Sequence, residues 1–416
     1  MSRLDFTGAA ARRPDTTDTP AALLTDTLTT DKAPQRLPGA RDKRLDVFRG
    51  LALVMIFIDH VPGTFYEQLT SHNFGFSDAA EPFVFMSGMA AGLAYSMQFR
   101  TAPLWPAVAK IWGRARYLYM VHILTTLLAL AIFAAGARYL GHYELLAQIN
   151  IPPILTSPLG TMIGIPLMAH QLGYVNILPL YIVLLLATPL FIVIALRQPL
   201  LLLLASIVLW VLAGHFRLNI PNYPTGGGWF FDPFSWQLIF VIGLLGGVAM
   251  RQGKSLVPYR PAIFWLAVGY VVLSLFWTRF DVVSTTGQVG LTELFNLGFP
   301  HYIVGFDKSF LPLSRLLHVL SLIYIVSSLS WVDRFASSKV ATPLALMGQY
   351  ALPVFAAGTI TSIALQVVRI RLGENILIDG LLLAGGLILQ VGLAWSLSRT
   401  VQLRKRALLS PEMLKL

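Results

Sequence analysis

An all-α integral membrane protein with about ten transmembrane helices is the fold class this sequence predicts, and three observations predict it. Of its 416 residues, 56% are hydrophobic and only 12% charged, a balance that water-soluble domains do not show. The apolar residues gather in runs of roughly 17–25, long enough to cross a hydrocarbon core as helices and unlike the short alternating segments of a β-barrel. Lys and Arg are unevenly spread. With the N-terminus in the cytoplasm, 24 of the 31 fall on the cytoplasmic side and seven outside, as the positive-inside bias requires. That asymmetry puts both termini in the cytoplasm and calls for an even number of spans.

In chain order, residues 1–44 include PDTTDTPAALLTDTLTTDKAPQRLPGARDKR. They are rich in Thr, Asp and Pro and lack the apolar core of a signal peptide, so they read as a disordered cytoplasmic tail. A membrane domain over 45–398 holds spans near 45–62, 80–98, 115–136, 176–196, 199–216, 235–250, 261–278, 311–331, 342–365 and 376–398, each a sustained apolar run. Residues 399–416 form a short basic cytoplasmic tail. The longer outer loops, 137–175, 217–234 and 279–310, carry Pro, Gly, Asn and aromatics, as in NYPTGGGWFFDPFSW. Such segments suit a roof over a cavity. TGGGW has neither the preceding strand nor the following Lys-Ser/Thr of a phosphate loop and reads as a flexible turn.

Several classes of chemistry are set aside. The chain has no cysteine, so disulfides, thiolate metal sites and a cysteine nucleophile are excluded. No HExxH or related spacing is present, and no metal is expected. The net charge of +11 belongs to the cytoplasmic loops rather than to nucleic-acid binding.

Ionisable residues inside apolar spans are costly and therefore functional candidates. The first span, RLDVFRGLALVMIFIDHVPG, carries Asp46, Arg49, Asp59 and His60. Arg49 and His60 are eleven residues apart, nearly three turns, so they share a helix face about 16 Å apart along the axis. Arg49 lies toward the cytoplasm, where snorkelling is its plainer reading, and His60 lies in the outer half. Asp59 can orient His60 or stabilise its protonated form. Asp78 and Glu81, at the outer start of the second span, share the depth of His60 and can hold a substrate hydroxyl or fix the imidazole tautomer. Ser87, Gly88, Ala90, Ala91 and Gly92 make a small-residue face for close helix packing. Lys110, Arg114, Arg116 and His122 lie in the cytoplasmic half of the third span. They answer either to the positive-inside bias or to a phosphorylated cofactor such as coenzyme A. Asp307, Lys308, Arg315 and His318, at the outer end of the eighth span, can join His60, Asp78 and Glu81 in one outward-facing polar site. The remaining histidines read as surface residues.

With these residues assembled, the chain resembles the membrane acyltransferases of the acyltransferase 3 superfamily. RLDVFRGLALVMIFIDH matches their first-helix pattern of Arg, ten residues, then His, through Arg49 and His60. FVFMSG, Phe83 to Gly88, resembles their second-helix motif, and LMGQYALPVF, Leu346 to Phe355, a late Gly-aromatic-Leu segment. RLDVFRGLAL, NFGFSDAAEPFVFMSG and FDKSFLPLSRLLH are closer still to the OpgC-type branch, succinyltransferases of osmoregulated periplasmic glucans. The similarity runs from about Arg41 to Arg399. One departure is the third span, where the superfamily often spaces two arginines by two residues and here Arg114 and Arg116 are spaced by one.

The resemblance implies a bacterial inner-membrane enzyme with a central acyl-transfer cavity. It moves an acyl group, succinyl above all, from cytosolic acyl-CoA as co-substrate to a hydroxyl of a periplasmic glucan. In that reading His60 is the base or acyl carrier, with Asp59 or Glu81 orienting it. Arg49, Arg114 and Arg116 hold the CoA, and Asp78, Asp307, Lys308, Arg315 and His318 hold the acyl carboxylate or the sugar. The bilayer, the glucan, further copies of the chain and glucan-synthesis proteins are the partners it names, and nucleic acid is not among them. Two other classes stand beside it. A secondary transporter also places Asp, Arg and His along a helix as a proton relay, although no internal repeat is visible. A non-catalytic partner in a glucan-synthesis complex is the second.

Overall fold

The computed structural model describes residues 42–101 and 103–408. The expected tail over 1–44 lies outside the described residues up to residue 41, as do residues 409–416. In chain order the helices are α1 (Lys43–Asp59), α2 (Ala80–Tyr95), α3 (Trp105–Leu140), α4 (Pro152–Thr156), α5 (Pro158–Gly164), α6 (Ile177–Arg197), α7 (Pro199–Phe216) and α8 (Pro233–Arg251). They continue as α9 (Pro261–Arg279), α10 (Asp281–Asn296), α11 (His301–Val304), α12 (Leu313–Ser328), α13 (Ser330–Ser337), α14 (Thr342–Gln349), α15 (Ala351–Leu372) and α16 (Ile376–Leu408). The described residues contain no strand, only one isolated bridge between Pro221 and Gly228.

The all-α membrane class stands, with fewer clear spans than ten. Among the described residues seven helices are long and apolar enough to cross a membrane: α3, α6, α7, α8, α9, α15 and α16. An eighth is made if α12 and α13, bent by 78° at their junction, count as one. α1 and α2 have 17 and 16 residues, about 25 Å of rise against a core of about 30 Å. The reason is local. Pro62 and Gly63 turn the chain out of α1, and α2, which starts at Ala80 as expected, gives way after Tyr95 to a 3-10 turn over Ser96–Phe99. The span expected over 342–365 is broken at Tyr350 into α14 and α15. Pro353, in the first turn of α15, has no N–H to donate and crowds the carbonyl four residues back. Two of the loops expected outside hold helices of their own, α4 and α5 in one and α10 and α11 in the other, and α16 carries helix on through residues expected as tail.

The core forms around α8, which buries most of its length and contributes Trp236, Phe240, Val241 and Leu244 to the interior. Its closest partner is α2, and the two meet by backbone. Gly88 and Gly92 of α2 lie against the backbone at Phe240 and Leu244, while Gly243 and Gly247 of α8 lie against Phe85 and Met89. A Cβ at any of the four would collide with the facing helix. Small residues at four-residue spacing on both partners bring helices together where lipid supplies no hydrophobic drive. The same device seats α1, because Gly50 abuts the backbone of Leu344 and Gly348 abuts that of Asp46. By contrast α9 and α16 turn Leu266, Leu381 and Ile388 outward, as a lipid-facing surface requires.

Candidate functional site

The end of the bundle that holds the loops after α1, α3, α7, α9 and α15 gathers most of the candidate residues. α1 finishes at Asp59, and the His60 N–H closes it by donating to the Ile56 carbonyl at 3.0 Å. Other helices then hold the exit. Gln366 Nε2 donates to the His60 carbonyl at 2.6 Å. Arg369 donates to the carbonyls of Pro62 and Gly63 at 3.1 and 2.8 Å, and its Nε donates to Asp379 Oδ1 at 2.9 Å. α15 and α16 thus clamp the turn that presents His60. The half-buried imidazole packs on the Tyr174 ring, with centroids 4.5 Å apart and planes inclined by 47°. Tyr174 reaches it from a left-handed backbone position, φ 69°, a conformation uncommon for a bulky residue. Among the described residues His60 Nδ1 is buried with no hydrogen-bond partner, so neither Asp59 nor Glu81 bonds to it.

Beside His60 stands a four-membered ion cluster. Asp78 Oδ1 accepts from the Ala80 N–H at 2.8 Å, and Glu81 Oε2 accepts from the Asp78 N–H at 3.0 Å. This reciprocal arrangement is a capping box that begins α2. The remaining carboxylate oxygens face Lys308, before α12, and Arg315, in its first turn. Lys308 Nζ donates to Asp78 Oδ2, Arg315 Nη2 to the same oxygen at 3.0 Å, and Arg315 Nε to Glu81 Oε1 at 2.6 Å. Burial alone would raise the Asp78 pKa, but Lys308 and Arg315 outweigh it and hold the carboxyl below the ordinary carboxylate range. Lys308 and Asp78 are the charges that act on the His60 ring. Two cations and two carboxylates pair with one another here, so the cluster is a wall of fixed dipoles beside the imidazole.

Other candidates lie apart from this group or are engaged elsewhere. Asp307 pairs with Arg217 at 3.1 Å and caps the short turn at Ser309. His318 Nδ1 accepts from the Ser77 N–H at 3.2 Å and lies 2.7 Å from Ser77 Oγ. A ring nitrogen that accepts a backbone N–H leaves the proton on the other, so His318 anchors the segment before α2. Asp59 lies at the α1 end beside Thr70. Arg49 donates to the Met86 carbonyl at 3.0 Å and sits 4.0 Å from Asp46, between α1 and α2. Arg114 and Arg116 are exposed on α3, with Arg114 over the Tyr117 ring. Positions two apart on a helix diverge by about 200°, so the two guanidiniums cannot share a face with each other, and neither meets Arg49. Among the described residues no group of three or more His, Cys, Asp or Glu gathers to hold a metal.

Sequence reasoning missed Tyr174, Gln366, Arg369 and Asp379. The first is in a loop without periodicity. The last three carried a legible signal, since polar residues three apart near the end of one span faced an aspartate at the start of the next. The D-A-A-E run at 78–81 was likewise a readable capping box.

A model of the protein family described as OpgC protein matches residues 41–402. No curated protein and no solved structure matches the chain.

Proposed function

The chain belongs to the OpgC protein family, and from that premise we propose that it is a multi-pass inner-membrane transferase that moves an acyl group, succinyl above all, from cytosolic acyl-CoA to hydroxyls of periplasmic glucans. The observation that carries this reading is the placement of His60. The imidazole is held at one end of α1 by a clamp from α15, laid on Tyr174, and set beside the paired ions of Asp78, Glu81, Lys308 and Arg315.

In this reading the sugar hydroxyl gives its proton to His60 as its oxygen attacks the thioester carbonyl. The new C–O ester bond forms, the C–S bond breaks, and the proton passes to the departing thiolate of CoA. The ion cluster fixes the acceptor hydroxyl, and its cations are the groups nearest to hand for an acyl carboxylate. Orientation of the imidazole falls to Gln366 and Tyr174 rather than to Asp59 or Glu81. At the opposite end of the bundle one of Arg114 and Arg116, which face apart on α3, meets the CoA phosphates, and Arg49 lines the way between α1 and α2.

The test is mass spectrometry of periplasmic glucans from cells carrying the wild-type chain, His60→Ala, or neither, with the variant's membrane level checked by immunoblot. Loss of the succinyl mass increment in both altered strains is expected, with the His60→Ala rate down by about 10²–10⁴-fold, the usual cost of removing a general base. An acetyl increment in the wild type would change the donor. Glucans unchanged by deletion would refute the acceptor.

A further inference from the structure

Two cavities stand next to the candidate site and are not used by the reaction as described. The larger, about 420 Å³, is lined by Arg217, Asn219, Trp229, Asp307 and Phe310 among others. The second, about 380 Å³, is lined by Asn150, Gln171, Asn176, Asn222 and Phe230 among others. Gly228 and Ser309 line both, so the two adjoin and together make one groove wall. The groove borders the candidate site at two points by a single peptide step. Ser309 follows Lys308, which pairs with Asp78, and Gly173 in the wall of the second cavity precedes Tyr174, which covers His60.

The lining has a specific chemistry. Asn150 Nδ2 donates to the Gln171 carbonyl at 3.0 Å, Gln171 Nε2 to the Met168 carbonyl at 2.9 Å, and Asn222 Nδ2 to the Gly228 carbonyl at 2.6 Å. A backbone carbonyl only accepts, so each amide must turn its nitrogen inward and keep its oxygen for another donor. The Asn176 side chain makes no capping hydrogen bond at the start of α6 and offers both groups to the cavity. Trp229 is 3% exposed, and its indole N–H has no partner among the described residues. Phe230 is 45% exposed and presents a ring to the second cavity. The only ionic groups are Arg217 and Asp307, and they neutralise each other at 3.1 Å. Uncharged acceptors beside aromatic faces suit a ligand with many hydroxyl donors, apolar ring faces and no charge.

We propose that this groove binds the acceptor as a chain, two or more consecutive sugar units of a neutral oligosaccharide, and delivers one hydroxyl past Tyr174 to His60. The proposal rests on the acyl-transfer reading for its direction but not for the binding itself. Each cavity is of single-ligand size, and two that adjoin accommodate linked rings.

The experiment measures binding of a linear glucohexaose, and of glucose, to the purified full-length protein in nanodiscs by saturation-transfer NMR. The variants are Phe230→Ala and Asn176→Ala in the groove, and His60→Ala outside it. The hexaose is expected to bind more tightly than glucose, to weaken roughly fivefold to tenfold with Phe230→Ala and severalfold with Asn176→Ala, and to be held equally by His60→Ala. Equal affinity for glucose and hexaose, no binding of either, or unaltered affinity in both groove variants would overturn the proposal. Acyl transfer from succinyl-CoA is assayed in parallel. Groove-dependent binding without any transfer would uphold the groove and refute the reaction. Normal transfer with binding unaffected by the groove variants would do the reverse.

Discussion

At the scale of single residues, the position of His60 is maintained by a neighbour it meets only through its own backbone. Gln366 donates to the His60 carbonyl at 2.6 Å, so it fixes where α1 ends without touching the imidazole. Gln366→Leu keeps the volume and removes the donor. Its stability cost should be about 1 kcal/mol, whereas displacement of the ring should lower kcat by about tenfold to a hundredfold and leave the donor KM unchanged. Steady-state kinetics with thermal unfolding of the same sample checks this, and an unchanged kcat would show that Tyr174 alone is sufficient. At this scale much of the site was legible. His60, Asp78, Glu81, Lys308 and Arg315 are ionisable residues in apolar surroundings, and that oddity alone marked them. Tyr174 was not legible, because its approach depends on a left-handed residue in a long loop and on no periodic pattern.

At the scale of elements, the α2–α8 contact depends on four glycines that face backbone. Gly88→Leu should destabilise the protein by at least about 1–3 kcal/mol through overpacking, read as a lower unfolding temperature in detergent. Gly113 of α3 has open space around it, and Gly113→Ala should be neutral or stabilising by about 0.5–1 kcal/mol through helix propensity. If the two variants melt alike, the crossing is not limited by backbone contact. The helices themselves were mostly readable from apolar runs. Their ends were not. The break at Tyr350 came from Pro353 inside a run that otherwise looked continuous, and α2 stopped at Tyr95, short of the expected residue 98, where the chain tightens into the turn Ser96–Phe99.

At the scale of the whole molecule, the ion cluster ties the start of α2 to the segment entering α12, elements more than two hundred residues apart in sequence. Asp78 is held below its ordinary value of 3.8. A depressed carboxyl contributes stability that is present above the unfolded pKa and lost as pH falls through the folded one. The protein should therefore keep this contribution across pH 5–8 and lose it only below about pH 4. Asp78→Asn should lower stability near neutral pH by about 3 kcal/mol, by taking the carboxylate from Lys308 while Arg315 keeps only Glu81, and should flatten the acid limb of the stability curve. Unfolding measured across pH for both proteins checks this, and parallel acid limbs would place the titration elsewhere. The sequence alone determined the membrane class, the approximate helices and the residues worth suspecting, because apolar run length and misplaced charge are local properties of a chain. Tertiary structure alone decided which suspects meet. It paired Asp78 and Glu81 with Lys308 and Arg315, sent Asp307 to Arg217 and His318 to Ser77, kept Arg114 and Arg116 apart, and closed α15 over His60. Those pairings depend on which helices lie side by side, and helix adjacency is set by backbone approach and packing between distant segments rather than by any local pattern.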